Sequence, residues 1–319
     1  MRDRDMKRLL GQLDKLTPLQ RAKVQTALEH PAALSEVLGL IDGQPGAMPA
    51  CPHCQASRVV RNGQADGLQR YKCTGCAKTF NALTGTPLAR LHMKAKWIAQ
   101  AQVLANGLSV HAAARDLDVA RSTAFRWRHR FLQVAQSTKA KVLTGIAEAD
   151  ETFILRSSKG RCPAGRAARR RGGKSATRGT SDEHIPVLVM RDRSGASTDF
   201  ILQRCDTLQL TAAMTPVLAP DTVLCTDASK AMAGAARRMD VEHQALNLTA
   251  GCRVKGPWHI QNVNAYHGRL KGWMRRFNGV ATLYLPSYLG WFRALDRSAT
   301  NPASPATLLA LALGHAWHP

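Results

Sequence analysis

The stretch Thr144-Gly-Ile-Ala-Glu-Ala-Asp-Glu-Thr-Phe-Ile154 decides how the rest of the chain is read. Its apolar and β-branched residues predict a short strand, and a carboxylate projecting from such a run is placed to bind a metal ion at a sheet edge. Asp150 is the central acid. Glu148 and Glu151 compete with it, and a solvated acid at a strand end would look the same in sequence.

Downstream the elements fall into an order. Ile146 to Leu155 predicts a first strand, Ile185-Pro-Val-Leu-Val-Met190 a second and Thr198-Asp-Phe-Ile-Leu-Gln203 a third. Leu208 to Leu218 predicts a helix, and Thr222-Val-Leu-Cys-Thr226 a fourth strand closed by Asp227. Ser229 to Met239 predicts another helix and Glu242 to Leu248 a fifth strand. Three strands followed by helix and strand in alternation is the order of an RNase H-like mixed sheet. There the centre of the first strand and the end of the fourth are neighbours, so Asp150 and Asp227 are expected to share a divalent ion, Mg²⁺ or Mn²⁺. Between the first two strands, Arg156 to Thr180 contains Arg169-Arg170-Arg171 and no acid, which predicts a loop without a core, suited to phosphate contact.

Charge points the same way. Lys and Arg number 45 against 22 Asp and Glu, for a net charge of +23 and a pI near 10.5. Such a balance argues against an enzyme of small metabolites and for a polyanionic partner, with double-stranded DNA the expected one. No basic amphipathic helix suggests a membrane surface. The charged amino terminus does not read as a secretory signal, and the longest apolar run, Thr307 to Leu313, is too short to span a bilayer. An intracellular protein is expected.

Upstream of the dividing stretch the chain reads as three modules. Residues 1–45 form a helical lead-in, with Leu9, Leu10 and Leu13, then Leu19, Val24 and Leu28 at helical spacing, and Thr17-Pro18 as N-cap and first-turn proline. Residues 46–82 read as a zinc ribbon after the linker Gly43 to Pro49. Cys51-Pro-His-Cys54 and Cys73-Thr-Gly-Cys76 are separated by eighteen residues, a spacing that sets four thiolates around one structural Zn²⁺. Arg58-Val-Val60 and Leu68 to Lys72 are the expected ribbon strands, and His53 is expected to be a bystander.

Residues 90–135 read as a helix-turn-helix region. Val110, Ala113, Ala114 and Leu117 supply one packing face, Val119 the turn, and Ser122 or Thr123 the cap of a second helix. That helix carries Arg121, Arg126, Arg128 and Arg130 as candidate DNA contacts beside Ala124, Phe125, Trp127 and Phe131 as candidate core.

A third oxygen ligand is sought in His259-Ile-Gln-Asn-Val-Asn-Ala-Tyr-His-Gly-Arg-Leu-Lys271. Val263, Tyr266, Leu270 and Met274 form an apolar stripe, and Asn264, His267 and Lys271 the polar stripe beside it. Spacing alone leaves Asn264 a boundary amide and Lys271 a solvated lysine. His259 and His267 are open as ligands or boundary histidines. The remaining segments are the end of the 144–300 domain and a C-terminal helix within 301–319.

Taken together, the CPHC and CTGC knuckles, TFNALTGTPLARLH, ADETF, LCTDAS and HIQNVNAYHGRLK resemble the zinc-ribbon insertion-sequence transposases of the DDE type, the ISXO-like group. The resemblance covers nearly the whole sequence. It implies Asp150 and Asp227 as the first two catalytic acids, Asn264 at a position held by Glu or Asn, and Lys271 as a basic residue that meets DNA. It also implies a bacterial, nucleoid-associated enzyme that cuts element ends, joins them to target DNA, and works as a homo-oligomer on paired ends. An amide third ligand carries no charge, so the second ion is held more weakly unless His267 or Glu148 compensates.

Overall fold

Residues 2–42, 48–160, 175, 181–247, 250–297 and 304–314 are described by a computed structural model. The predicted phosphate contacts Arg169, Arg170 and Arg171, the linker residues 43–47 and the end of the fifth predicted strand at Leu248 lie outside them. Two units divide the chain, Met1–Phe131 with Ser304–Pro319, and Leu132–Ala303.

In the first unit, helix α1 spans Asp3–Leu13 and α2 spans Pro18–Asp42. Helix α2 begins in a reciprocal cap, because Thr17 Oγ1 accepts from the Gln20 backbone N–H at 3.3 Å and Gln20 Oε1 accepts from the Thr17 N–H at 2.9 Å. Strands β1 (Val59–Ala65), β2 (Leu68–Cys73) and β3 (Thr79–Phe80) form an antiparallel ribbon in that order. Its small core is Cys51, Val59, Cys73 and Phe80, too little apolar surface to hold a fold without a further tie.

Three helices follow, α3 (Trp97–Ala105), α4 (Val110–Asp116) and α5 (Arg121–Phe131). Ser109 caps α4 by accepting the Ala112 N–H at 3.2 Å, and the turn after it passes through Asp118 at φ +48°. Lys96 Nζ reaches the Leu117 and Asp118 carbonyls at 2.6 and 3.0 Å, closing the helix end. The C-terminal helix Pro305–Leu313, capped by Ser304 and ended by Gly314 in the left-handed region, buries its leucines against α2, α3 and α5.

In the second unit, the short helix α6 (Gln133–Ser137) leads into β4 (Ile146–Leu155), β5 (His184–Asp192) and β6 (Ser197–Ile201). Helix α7 (Thr207–Met214), β7 (Val223–Asp227), α8 (Lys230–Met239) and β8 (His243–Leu246) complete a sheet of order β6-β5-β4-β7-β8. The first three strands run antiparallel to their neighbours, whereas β4–β7 and β7–β8 are parallel. This is the RNase H-like mixed sheet that the element order predicts.

Alternation along β4 divides the two faces of that sheet. Ala147 and Ala149 point into a core of Leu188, Met190, Leu210, Met214, Leu224, Met232 and Ala235, supplied by β5, β7, α7 and α8. Residues 148, 150 and 152 face the other way, where α9 (Gln261–Arg275) lies. A two-stranded hairpin of β9 (Val254–Lys255) and β10 (Trp258–His259) precedes α9 and is absent from the sequence expectation. Helix α10 (Leu285–Arg297) packs on α6 so closely that a Cβ at Gly290 would lie 2.4 Å from the Ala135 carbonyl oxygen. Among the described residues no helix is long and apolar enough to cross a membrane.

Candidate functional site

The four-cysteine cluster is built by two copies of one local geometry. In each knuckle the first cysteine's N–H donates to the carbonyl five residues on, Cys51 to Ala56 and Cys73 to Lys78, both at 3.0 Å. The residue after each second cysteine, Gln55 and Ala77, takes a left-handed conformation, at φ +61° and +60°. The turns bring all four sulfurs within 4.8 Å of one another, with Cys51–Cys76 at 3.7 Å and Cys54–Cys73 at 3.6 Å. A tetrahedral ion with metal–sulfur bonds of about 2.3 Å requires sulfur–sulfur separations of roughly 3.8 Å, so the donor set fits a closed zinc site. The Cys76 backbone N–H holds the Cys73 thiol down at about 7, which favours the thiolate form that a metal needs. His53 is exposed, and its backbone N–H, not its ring, serves the site, donating to Cys51 Sγ at 3.4 Å.

On α5 the arginines separate into two kinds. Arg121 and Arg126 are exposed, as a DNA contact requires. Arg128 is buried and donates to the Leu108 carbonyl, while Arg130 donates to the Pro87 and Ala89 carbonyls. The expectation that these two reach DNA is therefore corrected. Position 128 falls one turn after Ala124 and beside Trp127 and Phe131 on the packed face, and a buried guanidinium is used up satisfying backbone oxygens. Phe125, expected in the core, is 39% exposed and meets the His129 ring edge-on at 4.5 Å. Helix α5 starts at Arg121, so Ser122 and Thr123 lie in its first turn and not ahead of it.

The acids of the sheet meet by register. Parallel pairing of β4 with β7 runs from Ile146↔Val223 to Glu148↔Cys225, and that register carried one pleat past its end would bring Asp150 opposite Asp227. The ladder ends before the acids, and what the structure records of their nearness is that Glu151 feels the charge of both. Asp150 is about one-fifth exposed, and Asp227 spends Oδ1 on the Ser229 N–H at 3.0 Å where α8 begins. Negative charge accumulates here. Burial, then Asp150, then Asp227 raise the Glu151 carboxyl to about 7, and burial followed by Glu151, Asp206 and Asp150 pushes the Cys205 thiol up to about 12. No three carboxylate or imidazole groups around Asp150 converge within 4.8 Å among the described residues. Two carboxylates completed by water and substrate oxygens match the habit of Mg²⁺, which rarely receives an all-protein cage.

Helix α9 brings the later residues. Val263, Tyr266, Leu270 and Trp273 are buried, each apolar side chain contributing roughly 1.5–3 kcal/mol before entropy is counted. Trp273 thus packs with Phe277, Tyr288 and Trp291, while Met274 is only partly buried. His267, 6% exposed, places Nδ1 at 3.4 Å from Asp150 Oδ2. Asn264 and Lys271 are exposed and share the His267 face of the helix.

Glu148 is not available as a compensating ligand. It is fully buried, and its oxygens accept from Asn262 Nδ2 at 3.0 Å and the Val263 backbone N–H at 2.9 Å, while Arg193 Nη1 lies 2.7 Å away. His259 joins this group at 3.3 Å and is removed from Asp150's surroundings as a candidate ligand. Parity along β4 puts Glu148 and Asp150 on one face, a signal present in the sequence. Nothing in the sequence marks Arg193, which arrives through the β5–β6 turn.

Residues 92–136 match the homeodomain-like domain family. An uncharacterized protein in transposable element ISH50 of Halobacterium salinarum is 25% identical over 269 residues, 82% of this chain and 91% of that protein. Among solved structures, the Mos1 transposase paired-end complex with left transposon end aligns at 12% identity over 67% of this chain and 78% of that one, with a TM-score of 0.22. The Mos1 strand transfer complex aligns at 14% identity over 67% and 77%, with a TM-score of 0.23. Scores this low leave the fold assignment to the strand order itself. Over residues 142–293 the chain matches the ISXO2-like transposase domain family.

Proposed function

We propose that this chain is an insertion-sequence transposase that binds the terminal repeats of its element and carries out divalent-metal-dependent cleavage and strand transfer. The observation that supports the proposal is the β4–β7 register, which carried one pleat further would bring Asp150 beside Asp227, with His267 of α9 3.4 Å from Asp150. Asp150, Asp227 and the Asn264 amide oxygen would hold Mg²⁺ or Mn²⁺. Such ions would supply activation of the attacking oxygen and charge neutralisation at the leaving one. The chain's own residues do the positioning. Asp150 is steadied by His267, and Lys271 with Arg275 and Arg276, all exposed, offers a basic edge for the DNA backbone. Water oxygen would attack the phosphorus at the element end, breaking its bond to the 3′ oxygen, and the freed 3′ hydroxyl would then attack a target phosphodiester and displace the target strand's own 3′ oxygen.

Zn²⁺ in the four-cysteine cluster is structural on this reading. The ribbon's exposed Arg58, Arg61 and Lys72, together with Arg121 and Arg126 of α5, supply the phosphate and base contacts, in a homo-oligomer bridging two ends. The setting is the bacterial nucleoid.

Labelled element ends, taken from the inverted repeats flanking the gene, test the proposal directly. Joining in Mg²⁺ or Mn²⁺ is expected with the wild-type chain and is lost in Asp150→Asn and Asp227→Asn. Joining retained in either variant would overturn it. The exposed, uncharged Asn264 favours a second reading, a DNA-binding protein without catalysis, and specific binding with no metal-dependent cutting would select that one.

A further inference from the structure

Helix α9 is capped only in part by its own approach. His259 Nδ1 accepts the Gln261 N–H at 3.3 Å, but Ile260 at the N-cap makes no side-chain hydrogen bond and the first turn carries no acid. The first backbone N–H groups of a helix are left without partners and its N-terminus bears partial positive charge, so an anion is needed there. Glu148 supplies it from the sheet, accepting from Asn262 Nδ2 and the Val263 N–H. Its charge is matched by Arg193, whose Nη2 also donates to the Pro257 carbonyl at 3.1 Å just ahead of β10. One buried carboxylate thus ties β4, the β5–β6 turn, the β9–β10 hairpin and α9.

The position of this tie matters more than its strength. From Glu148 to Asp150 the strand advances roughly 6.7 Å. From the Asn262–Val263 attachment to His267, which meets Asp150, the helix advances by about the same length. Strand and helix are pinned at two matched points, and Asn264 lies between them, next to Val263. Apolar packing of Val263, Tyr266 and Leu270 would tolerate sliding or rotation, whereas the directional bonds of Glu148 to α9, with the close approach of His267 to Asp150, fix the helix's register on the strand.

We propose that Glu148 is a positioning residue, acting through α9 to hold Asn264 at the distance from Asp150 and Asp227 that a shared divalent ion requires. This inference rests on the metal-site reading of those three residues. The test is Mn²⁺ titration of the zinc-loaded full chain, following free Mn²⁺ by its electron paramagnetic resonance. Asp150→Asn is expected to abolish binding at the site. Glu148→Gln is expected to weaken it about tenfold, the scale at which partners behind metal ligands act. In an Asn264→Ala background, Glu148→Gln is expected to change nothing further. Because Glu148→Gln removes a buried charge and can unfold the unit, Arg193→Gln, which spares the carboxylate's bonds to α9, serves as the milder variant with a smaller loss and the same coupling. Unchanged binding in Asp150→Asn would overturn the metal-site reading and the inference with it. Binding lost in Asp150→Asn but unaltered in both Glu148→Gln and Arg193→Gln, or weakened equally with and without Asn264, would overturn the positioning role alone.

Discussion

The cysteine cluster fits a metal, the acids around Asp150 are proposed to hold one, and the two are assembled by opposite means. Each knuckle makes its half of the cluster within six residues, using its own backbone hydrogen bonds and one left-handed residue. The acidic site has no local half. Asp150, Asp227 and Asn264 come from different elements more than a hundred residues apart at the extremes, and only sheet register and helix docking bring them near. A closed site of charged ligands can therefore drive the folding of its own module, whereas an open one depends on a fold already made.

The largest expected effect follows from that contrast. Chelation, or Cys73→Ser, is expected to remove binding free energy of about 10–16 kcal/mol from the ribbon, abolishing amide protection in β1–β3 while the sheet of the second unit stays protected. Hydrogen exchange measures both at once, and a ribbon still protected after chelation would erase the contrast. Next, Asp150→Asn and Asp227→Asn should lower strand transfer by on the order of a thousandfold with an unchanged circular dichroism spectrum, since several kcal/mol of charge stabilisation vanish without loss of packing. Unfolding of either variant would show that this site too sustains its own fold.

Smaller tests address the scaffolds. Gly290→Ala is expected to destabilise the second unit by about 1–3 kcal/mol, because the new methyl meets Ala135 backbone oxygen at 2.4 Å, and thermal melting would register it. Arg128→Ala and Arg126→Ala should separate cleanly. The first lowers the melting temperature by leaving the partly buried Leu108 carbonyl without the Arg128 donor, and the second leaves melting alone while reducing the salt dependence of DNA binding by about one unit of slope. The smallest effect is one of pH. Burial, reinforced by Arg128, lowers His129 to about 4 from an ordinary value of 6.5. Between those values the unfolded chain takes up the proton and the folded one does not, so stability falls as pH drops from 6.5 towards 4. Melting followed across that window should show a shallower decline in His129→Gln.

What could be read in advance divides along the same line. Cys-x-x-Cys spacing reports a geometry that is complete within the spacing, so the cluster was visible in the sequence. Strand and helix order was visible too, since alternation along β4 and the 3.6-residue stripe of α9 are one-dimensional signals. The duty of each charged residue was not. Arg128 and Arg126 look alike in sequence and differ only in which way α5 is turned, which also decides that Phe125 faces outward. Glu148 and Asp150 share a face, but the Arg193 that neutralises the first comes from a turn about forty-five residues away. Burial and pairing of charge are properties of the assembled sheet, and no local pattern encodes them.

The parallel pairing of β4 with β7 stops at Glu148↔Cys225, two residues short of the acids, while β4 remains paired with β5 to Leu155 and β7 with β8 to Asp227. The sheet is unzipped at the point where its two acids face each other. Each acid stays fastened on its outer side and free on its inner one, so the gap between them is a soft coordinate in an otherwise stiff sheet. Mutual repulsion can widen it, and a shared cation can draw it closed, without breaking a ladder bond.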